Sequence, residues 1–268
     1  MTTSVPSATA PGTNPWLRPL THSPRPRMRL LCFHPAGAGP NFYRAWAARL
    51  PQDVEVLAVH LPGREGRFAE PRLTDYHAAV AALYAGVRPA LGPLPYAFFG
   101  HSMGALLAYG VALTAARHGD PTPEQLLLSG CAGPGGPHPK SGRAQWSDAD
   151  IVEDLRAMGG TTDEVLASPE LMDILLPVLR ADYTLCAGFH AAPPTGRLDC
   201  PLTVLGGADD RHTPDDLARW AAVSTGAFAH HTFPGGHFFL TRESTDPVLS
   251  TVTAVLSGQP PRPEHRPA

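Results

Sequence analysis

The chain has 268 residues, enough for one large domain or two small ones with a substantial core. Its 43% hydrophobic and 17% charged residues are the composition of an ordinary soluble globular protein, and a net charge of −3 gives no electrostatic ground for nucleic acid or an anionic membrane as partner. Four cysteines (Cys32, Cys131, Cys186, Cys200) stand far apart without a CxxC pair, which argues against a disulfide framework and a thiolate metal site.

Residues 1–26 are rich in Ser, Thr, Pro and Ala and lack the apolar stretch of a signal peptide, and the tail 258–268 is Pro-rich. Both ends are expected to be disordered, flanking one domain over 27–257. No stretch approaches the length of a membrane span, so a cytoplasmic, reduced protein is the simplest expectation.

Within the domain, strand and helix patterns alternate. A short apolar run at 29–33 ends in the Gly-rich loop His34-Pro35-Ala36-Gly37-Ala38-Gly39. A helix is predicted over 42–50 and a strand over 54–59, then an Ala-rich helix N-capped by Thr74 and reaching Arg88. Strand 96–99, helix 103–117 and strand 125–129 follow. After an interruption come strand 202–205, helix 214–223, strand 227–233 and helix 246–256. Repeated βα units of this kind imply a mostly parallel sheet with helices on both faces.

The interruption, about 132–200, carries helical patterns alone. Ser147 and Asp150 form a capping box ahead of Ile151, Leu155 and Met158 on one face. Ser168-Pro169 opens a second helix with Leu171, Ile174, Leu175, Val178 and Leu179 on one side, which Pro177 should kink or break. Such an insertion sits where a lid would lie over the carboxyl edge of the sheet. The alternative is a set of helices that only enlarge the core.

Gly100-His101-Ser102-Met103-Gly104 fits G-x-S-x-G between a strand and a helix, the context in which a serine becomes an exposed nucleophile. Its hydroxyl needs a base. Of 13 histidines, His237 in Pro234-Gly235-Gly236-His237-Phe238-Phe239-Leu240 follows a strand and can lie over the serine, whereas His101 adjoins Ser102 on a turn that makes the two side chains diverge. His230 and His231 lie within a strand, without the carboxylate or cysteine that would complete a metal site. A carboxylate must orient the imidazole, and in Leu205-Gly206-Gly207-Ala208-Asp209-Asp210 either acid could serve. The order Ser, Asp, His is that of an α/β-hydrolase fold. Two backbone N–H groups should form an oxyanion hole: Met103, after the nucleophile, and a residue of the first loop. There Pro35 has no N–H, which favours Ala36. That loop lacks both the Lys-Ser/Thr of a P-loop and dinucleotide spacing.

Several linked motifs are similar to those of the type II thioesterases that accompany modular polyketide synthases and nonribosomal peptide synthetases. They are Cys32-Phe33-His34-Pro35-Ala36-Gly37 with Phe42 and Trp46, Leu61-Pro62-Gly63-Arg64-Glu65, Gly100-His101-Ser102-Met103-Gly104, Leu176-Pro177 with Arg180-Ala181-Asp182-Tyr183, and Gly235-Gly236-His237-Phe238-Phe239. The resemblance spans about 29–256. It implies hydrolysis of misprimed or stalled acyl groups from the phosphopantetheine arm of acyl or peptidyl carrier proteins, with no cofactor and no metal. It also implies Asp210 as the acid that orients His237, through a Gly-x-x-Asp pattern at Gly207, and Ala36 as an oxyanion donor. The family commonly reads Pro-His-Ala-Gly-Gly at the first loop where this chain reads His34-Pro35-Ala36-Gly37-Ala38, a swap that moves an imide. Other functions to be distinguished are chain release or product rearrangement in the same kind of pathway, a general small-molecule esterase, and a catalytically silent docking module.

Overall fold

A computed structural model describes residues 14–92, 94–136 and 145–258. Seven strands form one sheet: β1 (Leu17–Pro19), β2 (Met28–Phe33), β3 (Val54–Val59), β4 (Tyr96–His101), β5 (Gln125–Ser129), β6 (Leu202–Gly207) and β7 (Phe228–Phe233). Their order is β1-β3-β2-β4-β5-β6-β7; β1 is antiparallel to β3 and every other pair is parallel. The central strands β2 to β6 are largely apolar on both faces because both faces are covered. Leu31, Phe33, Phe98 and Leu128 face α2 (Tyr76–Val87) and α3 (Met103–Arg117). The alternate residues Leu30, Cys32, Phe99 and Leu127 face Trp46 of α1 (Arg44–Ala47) and α8 (Thr245–Leu256). Successive strand residues point to opposite faces, so each apolar run serves two cores.

Local signals shift several boundaries. Asp75 caps α2 in place of Thr74, accepting from Ala78 N at 2.7 Å. The helix predicted over 42–50 is a 3-10 turn, Pro40–Tyr43, followed by the single turn α1. There the Tyr43 hydroxyl donates to Phe33 O at 2.8 Å and Trp46 Nε1 to Leu240 O at 3.0 Å, so side-chain bonds hold the segment where helix length does not. The helix over 214–223 divides into α7 (Pro214–Ala218) and a 3-10 turn, Arg219–Val223.

The insertion forms α4 (Asp148–Met158), α5 (Asp163–Leu166) and α6 (Pro169–Ala191). The Ser147 capping box is present, and Ile151, Leu155 and Met158 join Leu179 and Tyr183 in a small core between α4 and α6. One expectation for α6 needs correction: Leu171 and Ile174 are not on its buried face but 46% and 51% exposed. Of the kink or break expected at Pro177, the break does not occur, and the helix runs on through it. Proline removes one backbone donor, while packing of Val178, Leu179, Asp182 and Tyr183 holds the following turns.

The segment before residue 27 also needs correction. Residues 1–13 and 259–268 lie outside the described residues, but residues 14–26 are part of the fold. Beyond the β1 pairing, Thr21 Oγ1 accepts from Val56 N at 2.8 Å, and Asn14 Nδ2 donates to Gly86 O at 2.7 Å. The Trp16 ring lies against Gly86, where a Cβ would fall 2.2 Å from it, and the Arg67 guanidinium stacks 4.4 Å from the ring centroid. An edge strand tolerates proline and needs few residues, so composition hid this one. Trp16→Ala should lower stability by about 1–3 kcal/mol and Tm by several degrees. A thermal midpoint equal to the parent's would contradict this docking.

Candidate active site

Every candidate side chain lies at the carboxyl end of a parallel strand. Ser102 follows β4 at φ 54° and ψ −119°, a strained conformation for a residue other than glycine. Its amide donates to Ser129 O at 2.8 Å, anchoring the turn to β5. The flanking glycines are there because α3 meets the strands very closely. A Cβ on Gly100 would stand 2.3 Å from Gly104 O, and one on Gly104 would stand 2.0 Å from Phe33 O. Those contacts forbid any larger residue.

Next to this turn, His237 Nε2 lies 3.1 Å from Ser102 Oγ, and His237 Nδ1 lies 2.9 Å from Asp210 Oδ2. A carboxylate can only accept, so Nδ1–H donates to Asp210 and Nε2 is left to accept from the serine hydroxyl. Burial works to raise the Asp210 pKa, but its hydrogen bond to His237 and neighbouring positive charge outweigh that and bring it to about 2. Arg211 N adds a bond to Asp210 Oδ1 at 2.7 Å. The neighbouring acid has another task. Asp209 is exposed, and its amide donates to Gly235 O at 3.0 Å, tying the β6 turn to the loop of His237.

The other histidines near the site do not share this geometry. His101 is fully buried, its Nδ1 3.0 Å from Ser129 Oγ and its ring packed 5.0 Å from that of His237. Burial, then the neighbouring His237, pushes its pKa well below the ordinary imidazole range, so it packs as a neutral ring. His212, whose ring centroid is 6.4 Å from that of His237, is brought down to about 4, chiefly by burial. Among the described residues, no group of three His, Cys, Asp or Glu side chains is placed to hold a metal ion.

The loop after β2 curls beside Ser102. Gly37 adopts φ 75°, and a Cβ there would lie 2.7 Å from Leu179 Cδ2 of α6. Its amide donates to Asp182 Oδ2 at 2.8 Å, and Ala38 N points back to Pro35 O at 3.3 Å. No hydrogen bond to a described residue engages the N–H of Ala36 or Met103, the two candidate oxyanion donors. Ala36, Ser102 and His237 border a cavity with about 680 Å³ of empty space, part of it open to solvent. Phe42 and Phe238 form part of its remaining wall, and the insertion supplies a largely apolar face from Leu155, Met158, Leu175, Leu179, Tyr183 and Cys186.

Two ion pairs, one buried and one half-buried, bind the insertion to the site. Arg64 grips Asp182 of α6 through two bonds of 2.9 and 2.8 Å. Arg211, next to Asp210, lies 3.6 Å from buried Asp154 of α4, which also accepts from the Tyr183 hydroxyl at 3.4 Å. Arg64 and Asp182 stand in motifs shared with the type II thioesterases, but nothing in those motifs gives either a role at the site, and Asp154 stands in none of them. The one local signal for the two acids was a carboxylate inside an apolar helical face.

The chain as a whole has relatives among known proteins. The chain is 34% identical to the gramicidin S biosynthesis protein GrsT of Aneurinibacillus migulanus over 228 residues, covering 85% of this chain and 88% of that protein. It is 33% identical to the thioesterase PikA5 of Streptomyces venezuelae over 227 residues, covering 84% and 80%. Among solved structures, the type II thioesterase BorB from the borrelidin biosynthetic cluster superposes with a TM-score of 0.80 at 34% identity, covering 90% of this chain and 97% of BorB. Residues 28–256 match the Thioesterase domain family, and the chain therefore belongs to that family, as a hydrolase of the α/β-hydrolase fold.

Proposed function

We propose that this protein is a type II, editing thioesterase that hydrolyses aberrant or stalled acyl groups from the phosphopantetheine arm of acyl or peptidyl carrier proteins. The observation that carries the reading is the unbroken relay from Ser102 Oγ through His237 to Asp210, at 3.1 and 2.9 Å, beside a largely apolar cavity. The names of its relatives support the setting.

Ser102 Oγ attacks the thioester carbonyl while His237 Nε2 takes its proton, and Asp210 stays ionised to hold the imidazolium. The N–H groups of Ala36 and Met103 receive the charge that develops on the carbonyl oxygen. Collapse breaks the C–S bond, and His237 returns the proton to the departing pantetheine thiol. Water then enters, gives a proton to His237 and attacks the acyl-serine; the free acid leaves and Ser102 recovers its hydrogen. The apolar insertion walls shelter the acyl chain, and the helical insertion over about 146–186 acts as a lid beside which the arm passes.

Ser102→Ala should abolish measurable thioester hydrolysis without loss of fold, and His237→Ala should cost nearly as much because the two act as a unit. A folded variant of either kind with near-parental turnover would refute the assignment. Fluorophosphonate labelling of the parent at Ser102 separates a hydrolase from a silent docking module.

Asp210→Asn should lower kcat by up to ~10⁴-fold, the loss known for the equivalent change in a protease triad, whereas Asp209→Asn should fall within a few fold of the parent. The reverse ranking would move the orienting acid to Asp209.

Contacts with a carrier supply binding energy away from the reacting carbonyl, which can be used to orient it. The same acyl group should therefore be hydrolysed with a higher kcat/KM from a carrier protein than from a short thiol mimic, as followed by mass spectrometry. Equal values would leave a small-molecule esterase or thioesterase.

A further inference from the structure

We propose that Asp182, paired with Arg64, is a positioning residue that sets the direction of the Ala36 N–H; this rests on the reading above that Ala36 is an oxyanion donor. Asp182 is fully buried on α6 among apolar neighbours, and Arg64 is 6% exposed. A carboxylate in such a place is tolerated only when its lone pairs are taken up. Asp182 Oδ1 accepts from Arg64 Nη2 at 2.8 Å, while Oδ2 accepts from Arg64 Nη1 at 2.9 Å and from Gly37 N at 2.8 Å. Arg64 Nη1 then reaches Ala38 O at 3.0 Å. The pair thus holds one donor and one acceptor from consecutive residues of the first loop.

The effect on Ala36 follows from backbone geometry. The Gly37 N–H belongs to the same rigid peptide plane as the Ala36 carbonyl, so fixing it fixes the plane on the carboxyl side of Ala36. On the other side Pro35 has a restricted φ, and β2 is locked to β4 up to the Phe33–Gly100 register. Few rotations are then left to the Ala36 N–H. From farther along the loop, Glu65 Oε2 accepts from Asn41 Nδ2 at 2.8 Å, so the Arg64-Glu65 step grips both ends of the curl. Leu179 presses on Gly37 from one turn earlier on the face of α6 that carries Asp182.

Two apolar side chains of similar volume can often replace a buried ion pair without loss of stability. They cannot accept from Gly37 N–H. That difference separates positioning from simple packing. It also couples the turn of α6 bearing Asp182 to the loop.

The test compares two double variants of the whole chain on a short acyl-thiol mimic. Arg64→Met/Asp182→Leu removes the ion pair and the acceptor together; Arg64→Met/Asp182→Asn removes the ion pair but keeps an oxygen for Gly37 N–H. The first should lose about 10²-fold in kcat, the scale of one oxyanion donor, with KM and the pH profile unchanged because His237 and Asp210 are untouched. The second should recover most of that loss. Full kcat in the folded Leu variant, equal losses in both variants, or failure of both to fold would each overturn the proposal, the last by making the pair a folding element only. Ser102→Ala in the same assay keeps the two claims apart. If it is inactive while the Leu variant is fully active, only the role of Asp182 fails; if it remains active, the thioesterase triad itself fails.

Discussion

The close approach of α3 to strands β2 and β4 is the constraint on which the site depends. With a Cβ excluded at Gly104 by the Phe33 carbonyl and at Gly100 by Gly104, the helix begins almost on the sheet. The chain can then leave β4 and enter α3 only through a turn that forces Ser102 to a positive φ. That turn raises the hydroxyl above the sheet edge, within hydrogen-bonding distance of His237 on the loop after β7, which Asp210 on the loop after β6 holds in turn. The strain is held by the parallel ladder on either side and by the Ser102 N–H bond to Ser129.

Around this turn, three buried carboxylates organise the approach to the serine, each with a different partner. Asp210 holds His237, Asp182 holds the first loop through Gly37 and Arg64, and Asp154 meets Arg211 and Tyr183. Buried charges of this kind contribute little net stability compared with apolar packing, but breaking one partner is costly, so they fix geometry. Two of them sit on the insertion. The helices that wall the cavity are thereby tied to the loops that would carry the oxyanion donor and the orienting acid.

Much of this was legible in the sequence where local pattern decides the outcome. The bounds of β3, α3 and β5 follow from apolar runs between turn residues, and G-x-S-x-G places Ser102 without any tertiary knowledge. The structure brings His237 and Asp210 to Ser102 as their positions after β7 and β6 suggest. What escaped was decided by contacts distant in sequence. Leu17–Pro19 becomes a strand only because β3 offers an edge and Gly86 leaves room for Trp16. The inward face of α6 is chosen by the loop and α4, so Leu171 and Ile174 point outward although their spacing allowed the core. Arg64 and Asp182 both stand in motifs shared with the thioesterases, but their partnership spans 118 residues and neither segment signals that they pair.

The central claim is that Ser102 takes the acyl group from a carrier thioester as a covalent intermediate. The most direct measurement is rapid quenching of the enzyme with an acyl-carrier protein, followed by intact-mass and peptide mass spectrometry. The account predicts a transient adduct of the acyl mass on the peptide bearing Ser102, absent in Ser102→Ala. An adduct on another side chain, such as Cys186 in the cavity wall, or turnover by Ser102→Ala would contradict it.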